Sequence, residues 1–405
     1  MVAQGPGGVG IRPGLAADAL VDHQQVAYQD AGGPRRLFRS PSSAADALLN
    51  IVAGPLPWHQ SLLYHYFLVD LCGQKFEERY FLDRVSETGL LYSRWYRDEG
   101  VAAFLEQNVM HAAAIYANEI SAMSWQHVMR YWLRTPSPFF STVDGPLQTR
   151  IIDPFAAHLV ARGVTIITDR RVTAVRVAGG QVSGVEWRDS GGATGTLAAD
   201  CYVLATPLEV TKTLITDELY ALAPDLGCVQ RLDCEPMSGF CVDLTHKVPG
   251  LGAEFTFLMG SAHALSVIDV TPSAPTSRLC VVVSDFGPLR SLTPAKIEAL
   301  ILAELRRYLA FPTAWITATA LQDNVSAPLY INTVGSWADR PEARTQAPNL
   351  WVAGDWVRNA IDLATMEGAV ASGRDTASLL LRDLGLLAPP AKVPPTWPRS
   401  LSSAS

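Results

Sequence analysis

The sequence has no excess of basic residues: 32 Lys and Arg stand against 39 Asp and Glu, a formal charge of −7. That balance works against a phosphate backbone as partner, so nucleic acid is set aside. No apolar run reaches 18 residues, so no segment reads as a spanning helix. No charged stretch followed by an apolar core lies near Met1, so no secretory signal is legible. The six cysteines contain no C-x-x-C pair and the eight histidines no H-x-x-x-H. A metal site is therefore not expected, and reduced thiols in a cytoplasmic protein are. What is present is ordinary globular composition: 405 residues, 48% hydrophobic and 18% charged, enough for two or three domains.

Glycine and proline cluster toward the two ends. The stretch "GPGGVG", residues 5–10, fits the dinucleotide pattern G-x-G-x-x-G with Gly5, Gly7 and Gly10. That pattern holds a pyrophosphate only where a buried strand aims the loop and a helix start follows it. Only Met1 to Gln4 precede it, too few for a core strand. Pro13 falls where the following helix needs a backbone N–H. The stretch reads as leader rather than phosphate loop. Residues 1–45 are expected as a flexible leader, and 388–405, with "PPAKVPPTWP", as a disordered tail.

Between 46 and 135 the apolar spacing is helical: Leu48, Ile51 and Val52, then Leu62, Leu63, Tyr66 and Phe67. Residues 51–140 hold 17 of the 35 aromatic side chains, which suits a helical core and also an apolar ligand chamber. From 150 the pattern changes. "IIDPFAAHLVARG" reads as a helix ended by Gly163. A short β-branched strand is expected at 164–167, then a hairpin over 171–187 turning at "AGG", then a strand at 202–205. Further strands are expected in "SGFCVDLTH", "ALSVIDV" and "RLCVVVSD". The helix "PAKIEALILAELRRYLA" follows, with Thr293 as N-cap and Pro294 in its first position.

The most informative stretch is "NLWVAGDWVRNAIDLATMEGAVASGRDTASLLL", residues 349–381. "LWVAG" is a short buried strand, and Gly354 permits a close turn. Asp355 then stands at a strand's C-terminal end, where α/β folds place ligand contacts. Thr365 can cap a new helix with Glu367 in its first turn. Gly368, Ala369, Ser372, Gly373 and Ala377 keep one helix face small. An acid can accept hydrogen bonds from a polyol, and a helix start can face an electron-rich ring. A generic strand–loop–helix, with Asp355 an ordinary loop residue, explains the same spacing.

"VAGDW…ATMEGAVASG" closely resembles the C-terminal flavin motif of the FAD-dependent amine oxidase superfamily, nearest the branch of plant-type carotenoid desaturases and hydroxysqualene dehydroxylase-like proteins. "DGPLQTRIIDPFAAHLVARGVTIITDRRVTAVRV" and "ADCYVLATP" extend the resemblance over about 140–385. It implies FAD as cofactor. The residues it marks are Val172 at the adenine end, Ala205 on the return strand, and Gly354, Asp355, Trp356, Thr365, Met366, Glu367 and Gly368 at the flavin end. It implies an α/β fold: a discontinuous, Rossmann-like FAD-binding domain from 136–215 and 340–387, lacking its first βαβ unit. An α+β substrate domain would join helices of 46–135 to a mixed or antiparallel sheet and helix from 216–339.

The family also opens on a strand and a glycine fingerprint for the FAD pyrophosphate, which this sequence does not match. Three accounts follow: a start set too far downstream, which is favoured; a second chain supplying the unit; or a scaffold that has given up FAD. The implied activity is an oxidoreductase of dehydrogenase or desaturase type. It would pass a hydride from an apolar, isoprenoid-like substrate to the flavin, with peripheral membrane contact to collect it. A flavin amine oxidase, with Trp356 as a wall of an aromatic cage, and a cofactor-free binding protein are the alternatives. No catalytic base is assigned; His65, Tyr66 and Glu367 are conceivable, and each has a plainer structural reading.

Overall fold

The structure, a computed structural model, describes residues 20–40, 42–74, 79–134, 140–326 and 328–386. The "GPGGVG" stretch and the Pro-rich tail lie outside the described residues. The chain divides into two compact units, and each is built from separate pieces. The larger joins residues 20–150 to Asp233–Trp337, and the smaller joins Ile151–Leu232 to residues from 338 on.

In chain order, the larger unit opens with strands β1 Leu20–His23, β2 Gln25–Asp30 and β3 Arg35–Arg39. Helices follow: α1 Ala44–Ala53, α2 Trp58–Gly73, α3 Arg79–Asp83, α4 Glu87–Tyr92, α5 Glu99–Ala113 and α6 Ala122–Arg134, then strand β4 Phe140–Val143. The smaller unit takes over with helix α7 Asp153–Val160 and strands β5 Arg171–Ala178, β6 Gln181–Arg188, β7 Thr194–Leu197 and β8 Tyr202–Leu204. Helices α8 Leu208–Leu214 and α9 Asp217–Leu222 complete that piece. The chain returns to the larger unit through β9 Cys234–Glu235, β10 Ser238–Leu244, β11 Thr256–Met259, β12 Leu265–Asp269, β13 Ser277–Val283, helix α10 Pro294–Leu305, β14 Ile316–Asp323 and β15 Leu329–Tyr330. Strand β16 Leu350–Val352 and helix α11 Met366–Asp383 finish the smaller unit.

The expected leader needs correction from residue 20 onward. "QVAYQD" and "RRLFR" are a hairpin at the edge of a seven-stranded sheet ordered β14-β10-β13-β12-β11-β2-β3. Gly32 and Gly33, inside the stretch expected as leader, are its turn: Gly32 has φ +64° and Gly33 N–H donates to Asp30 O at 3.1 Å. The sheet is mixed, because β11 runs parallel to β2 while the other neighbours are antiparallel.

Two apolar cores form in the larger unit. One packs Phe67, Leu71, Leu90, Leu105, Val109 and Trp125 of the helices against Tyr28 and Phe257 of the sheet. The other packs the alternate residues Phe240, Val242, Leu279, Val281 and Val283 under Ile297, Ile301 and Leu305 of α10. Pro294 opens α10 as expected, but Thr293 makes no side-chain cap bond. Not every aromatic of the helical stretch is core. Trp58, Leu62, Tyr66 and Val69 recur at steps of four, four and three along α2, and all are exposed, Val69 by 69%. Among the described residues, no helix is long and apolar enough to cross a membrane.

In the smaller unit, β5, β6 and β7 form an antiparallel sheet whose first turn uses Gly179 and Gly180, both at positive φ. Strands β8 and β16 form a separate parallel pair, in register from Leu350↔Tyr202 to Val352↔Leu204. Buried Asn349 ties the two sheets by exchanging hydrogen bonds with Val182 N–H and O, both at 2.9 Å. The expected strand at 164–167 is absent. Val164, Ile166 and Ile167 are exposed instead, because no strand of the described residues pairs with them.

Candidate functional site

The parallel pair places two strand ends side by side. Ala353 N–H donates to Leu204 O at 3.0 Å, so Ala205 and Gly354 leave the carboxyl ends of adjacent strands. This is where open α/β sheets bind ligands. Gly354 has φ +155°, and a Cβ there would stand 2.5 Å from the Trp356 indole nitrogen, so the turn requires glycine. The Trp356 ring is fully buried beneath this turn, with Nε1–H donating to Thr206 O at 3.0 Å. This corrects the cage-wall reading of Trp356: its side chain is committed to the core.

Asp355 follows the turn, half-buried. Burial pushes its carboxyl above the usual carboxylate range, while its own N–H, the Arg340 guanidinium and the Trp356 N–H pull the other way. Ten residues on, Thr365 is the N-cap of α11, with Oγ1 accepting from Gly368 N–H at 3.0 Å. Glu367 lies in the first turn, and Met366 is exposed at the helix start. A Cβ on Gly368 would meet Leu363 O at 2.3 Å. The small face that docks α11 is Gly368, Ser372 and Thr376. Ser372 Oγ accepts from Gly354 N–H at 3.1 Å, and Thr376 Oγ1 donates to Val352 O at 2.9 Å. Ala369 and Ala377, expected on that face, are exposed, since steps of four keep residues on one face and steps of one do not.

The residues between Asp355 and Thr365 are held by a group the sequence reading missed. Arg340 is completely buried. Its guanidinium donates to the carbonyls of Asp355 (2.7 Å), Trp356 (3.3 Å) and Val357 (2.8 Å), and pairs with the carboxylate of buried Asp362. Asp362 sits at φ +56°, turned by Asn359, whose Oδ1 accepts from the N–H groups of Ile361 and Asp362 at 2.9 and 3.0 Å. Arg340 thus fixes the path of the loop that carries Asp355. The Asx-type spacing of Asn359 and Asp362 is a legible turn signal; the partner 22 residues upstream is not.

The structure therefore brings together Ala205, Gly354, Asp355, Trp356, Thr365, Met366, Glu367 and Gly368 in one strand–loop–helix beside a parallel strand. Val172 lies elsewhere, on β5, opposite Trp187. His65 and Tyr66 belong to the larger unit, where His65 Nδ1 is hydrogen-bonded to Ser61 O at 2.7 Å, a bond within its own helix.

The class follows from a match over residues 101–381 to the flavin-containing amine oxidoreductase model: the chain belongs to that family, whose members are FAD-dependent oxidoreductases. Among individual relatives, it is 25% identical over 241 residues to the hydroxysqualene dehydroxylase of Zymomonas mobilis, covering 58% of this chain and 51% of that protein. It is 25% identical over 363 residues to the 15-cis-phytoene desaturase of Synechococcus elongatus, covering 80% of this chain and 71% of that one. The first match thus spans about half the relative's length. Among solved structures, a putrescine oxidase variant superposes with TM-score 0.65 at 16% identity, over 91% of this chain and 85% of its own. The cyclohexylamine oxidase of Brevibacterium oxydans superposes with TM-score 0.62 at 14% identity, over 92% and 84%. These share the fold.

The donor set suits the flavin end of FAD. A half-buried carboxylate stands at a strand end, and a capped helix start of positive partial charge follows it across a loop anchored by Arg340. No glycine fingerprint for the pyrophosphate lies among the described residues.

Proposed function

We propose that the chain is the flavin-facing and substrate-facing part of an FAD-dependent oxidoreductase of dehydrogenase or desaturase type, acting on an apolar, isoprenoid-like molecule. The observation that carries this is the Gly354–Asp355 turn, held by Arg340 and followed by the Thr365-capped helix. Bound FAD supplies the two-electron acceptor. Asp355 would accept hydrogen bonds from the ribityl hydroxyls, the start of α11 would favour negative charge on the flavin ring, and Val172 would serve the adenine end. A helix start favours developing negative charge there by ~0.3–1 kcal/mol.

On this reading the pyrophosphate loop lies in a βαβ segment outside the described residues. Two features support this. Parallel sheets are normally covered on both faces and larger than two strands, yet among the described residues β8 and β16 stand as a pair. The β-branched run at 164–167 has strand composition and no partner strand among the described residues. The exposed stripe Trp58, Leu62, Tyr66 and Val69 fits an apolar supply route, because Trp and Tyr favour the water–lipid boundary. The amine oxidase reading is weaker, since the buried Trp356 ring cannot wall a cage.

The test is protein isolated from its native host, analysed for intact mass and for cofactor released on denaturation. FAD at one per chain is expected. Asp355→Ala should weaken FAD retention by ~10–100-fold, the loss of charge-assisted hydrogen bonds of ~1.5–3 kcal/mol. A folded protein of these 405 residues that carries no flavin overturns the proposal.

A further inference from the structure

We propose that Cys241 and Cys280 form a peroxide-sensitive thiol pair that closes to a disulfide across the central sheet. The two residues are direct cross-strand partners on β10 and β13, and their sulphurs are 3.6 Å apart. Both cysteines are free and half-buried. A disulfide has an S–S length of ~2.05 Å, so the sulphurs need approach by only about 1.5 Å, within the reach of side-chain rotation.

The rung around them leaves one side open. Across the sheet it reads Ala320, Cys241, Cys280, Ile268, with Ala320 exposed and Ile268 buried. Along β10, Gly239 precedes Cys241 on the same face, and nothing lies within 4 Å of where its Cβ would be. Cys241 is thus flanked by the two smallest side chains, and a small oxidant reaches it over Ala320 and Gly239. Cys280 is shielded by Ile268. The adjoining rung on this face is the Asp243–Arg278 ion pair, at 2.6 and 2.8 Å.

The electrostatics assign the roles. A hydrogen bond from the Cys280 thiol, helped by the Arg278 charge, holds the Cys241 thiol below the usual range against burial. The same bond and burial push Cys280 up. Cys241 is therefore the thiolate and Cys280 the resolving thiol. The Cys241 thiolate sulphur attacks one oxygen of hydrogen peroxide. The O–O bond breaks, and the leaving hydroxide takes up a proton to give water and a sulfenic acid. The Cys280 sulphur then attacks the Cys241 sulphur, the S–O bond breaks, and the hydroxide leaves with the Cys280 proton as a second water. Two thiols are oxidised and one peroxide is reduced.

The test uses the full chain, reduced, desalted and treated with hydrogen peroxide. Remaining thiols are then blocked with N-ethylmaleimide under denaturing conditions. Four labels in place of six are expected, with the 241 and 280 peptides linked and six labels restored by dithiothreitol. In Cys280→Ser the sulfenic acid cannot resolve, and a dimedone adduct is expected on Cys241. Six labels after treatment, or a link joining any other cysteines, overturns the proposal. Both readouts on the wild-type chain stand whether or not the serine variant folds.

Discussion

Arg340 and Glu87 are both buried, one in each unit, and among the described residues only Arg340 has hydrogen-bond partners. The Arg340 guanidinium meets three carbonyls and the Asp362 carboxylate. Glu87, at the start of α4, is also fully withdrawn from water, and neither carboxyl oxygen has a hydrogen-bond partner among the described residues. A charge taken out of water must be matched by other groups or be neutralised. Arg340 cannot shed its proton, so the chain around it supplies acceptors. Glu87 can gain one: burial, with repulsion from Glu106, raises its pKa to about 8, and it is a neutral acid at pH 7. A charged group that stays charged organises a loop. One that can neutralise is tolerated in an apolar core, and it leaves that core sensitive to pH.

The largest effect should come from breaking the partnered site. Arg340→Met leaves a buried carboxylate and three carbonyls without their donor, and should cost ~3–5 kcal/mol in the smaller unit. FAD retention should fall with it. Arg340→Met combined with Asp362→Leu should recover part of that stability without recovering FAD, because the carbonyls of Asp355 to Val357 still lack their anchor. Denaturant midpoints and released-flavin assays separate the two. Equal recovery of both would show that the pair, rather than the carbonyl contacts, sets the loop.

Glu87 sharpens the comparison from the other side. Its folded pKa, about 8, lies above an unfolded value near ~4.3. The folded state therefore binds more protons between those values. This contribution to stability is whole below pH ~4.3, declines as pH rises through the window, and is gone above about 8. The slope is at most ~1.4 kcal/mol per pH unit. Glu87→Gln should flatten that decline, measured as amide exchange in α4 and α5 between pH 5 and 9. An unchanged slope would mean that Glu87 finds a partner in solution.

These contrasts also mark what the sequence could carry. The strand "LWV", the Thr365 cap, the 171–187 hairpin and the β10, β12 and β13 strands are legible because each is encoded by local alternation, a short apolar run or a local cap. The leader assignment failed at 20–39 because Gly32 and Gly33 were weighed as composition, although they turn a hairpin completed only by β11, more than 200 residues away. The strand expected at 164–167 failed for the reverse reason: its composition is right, and its partner is not among the described residues. In the site, Asp355 and Thr365 were visible from spacing. Arg340 was not, because its function as an anchor depends on a backbone path that only the folded loop defines.

The smallest expected effect belongs to His111, on the same helical core as Glu87 and of opposite sign. Both ring nitrogens are without hydrogen-bond partners among the described residues, and the ring packs against Phe257 at 5.2 Å between centroids. Burial lowers its pKa to about 4, so it is buried neutral. Its unfolded value is near ~6.5, so here the unfolded state binds more protons, and stability is lost as pH falls from ~6.5 toward 4. Between about 4.5 and 6.5 the Glu87 and His111 slopes oppose each other, and the larger unit should show a plateau there. Above it only Glu87 acts, and below it only His111. His111→Leu removes the acid limb and, by the same reasoning, tilts the plateau so that stability falls with pH throughout it. A plateau that survives this substitution would show that the two groups do not titrate independently in the same core.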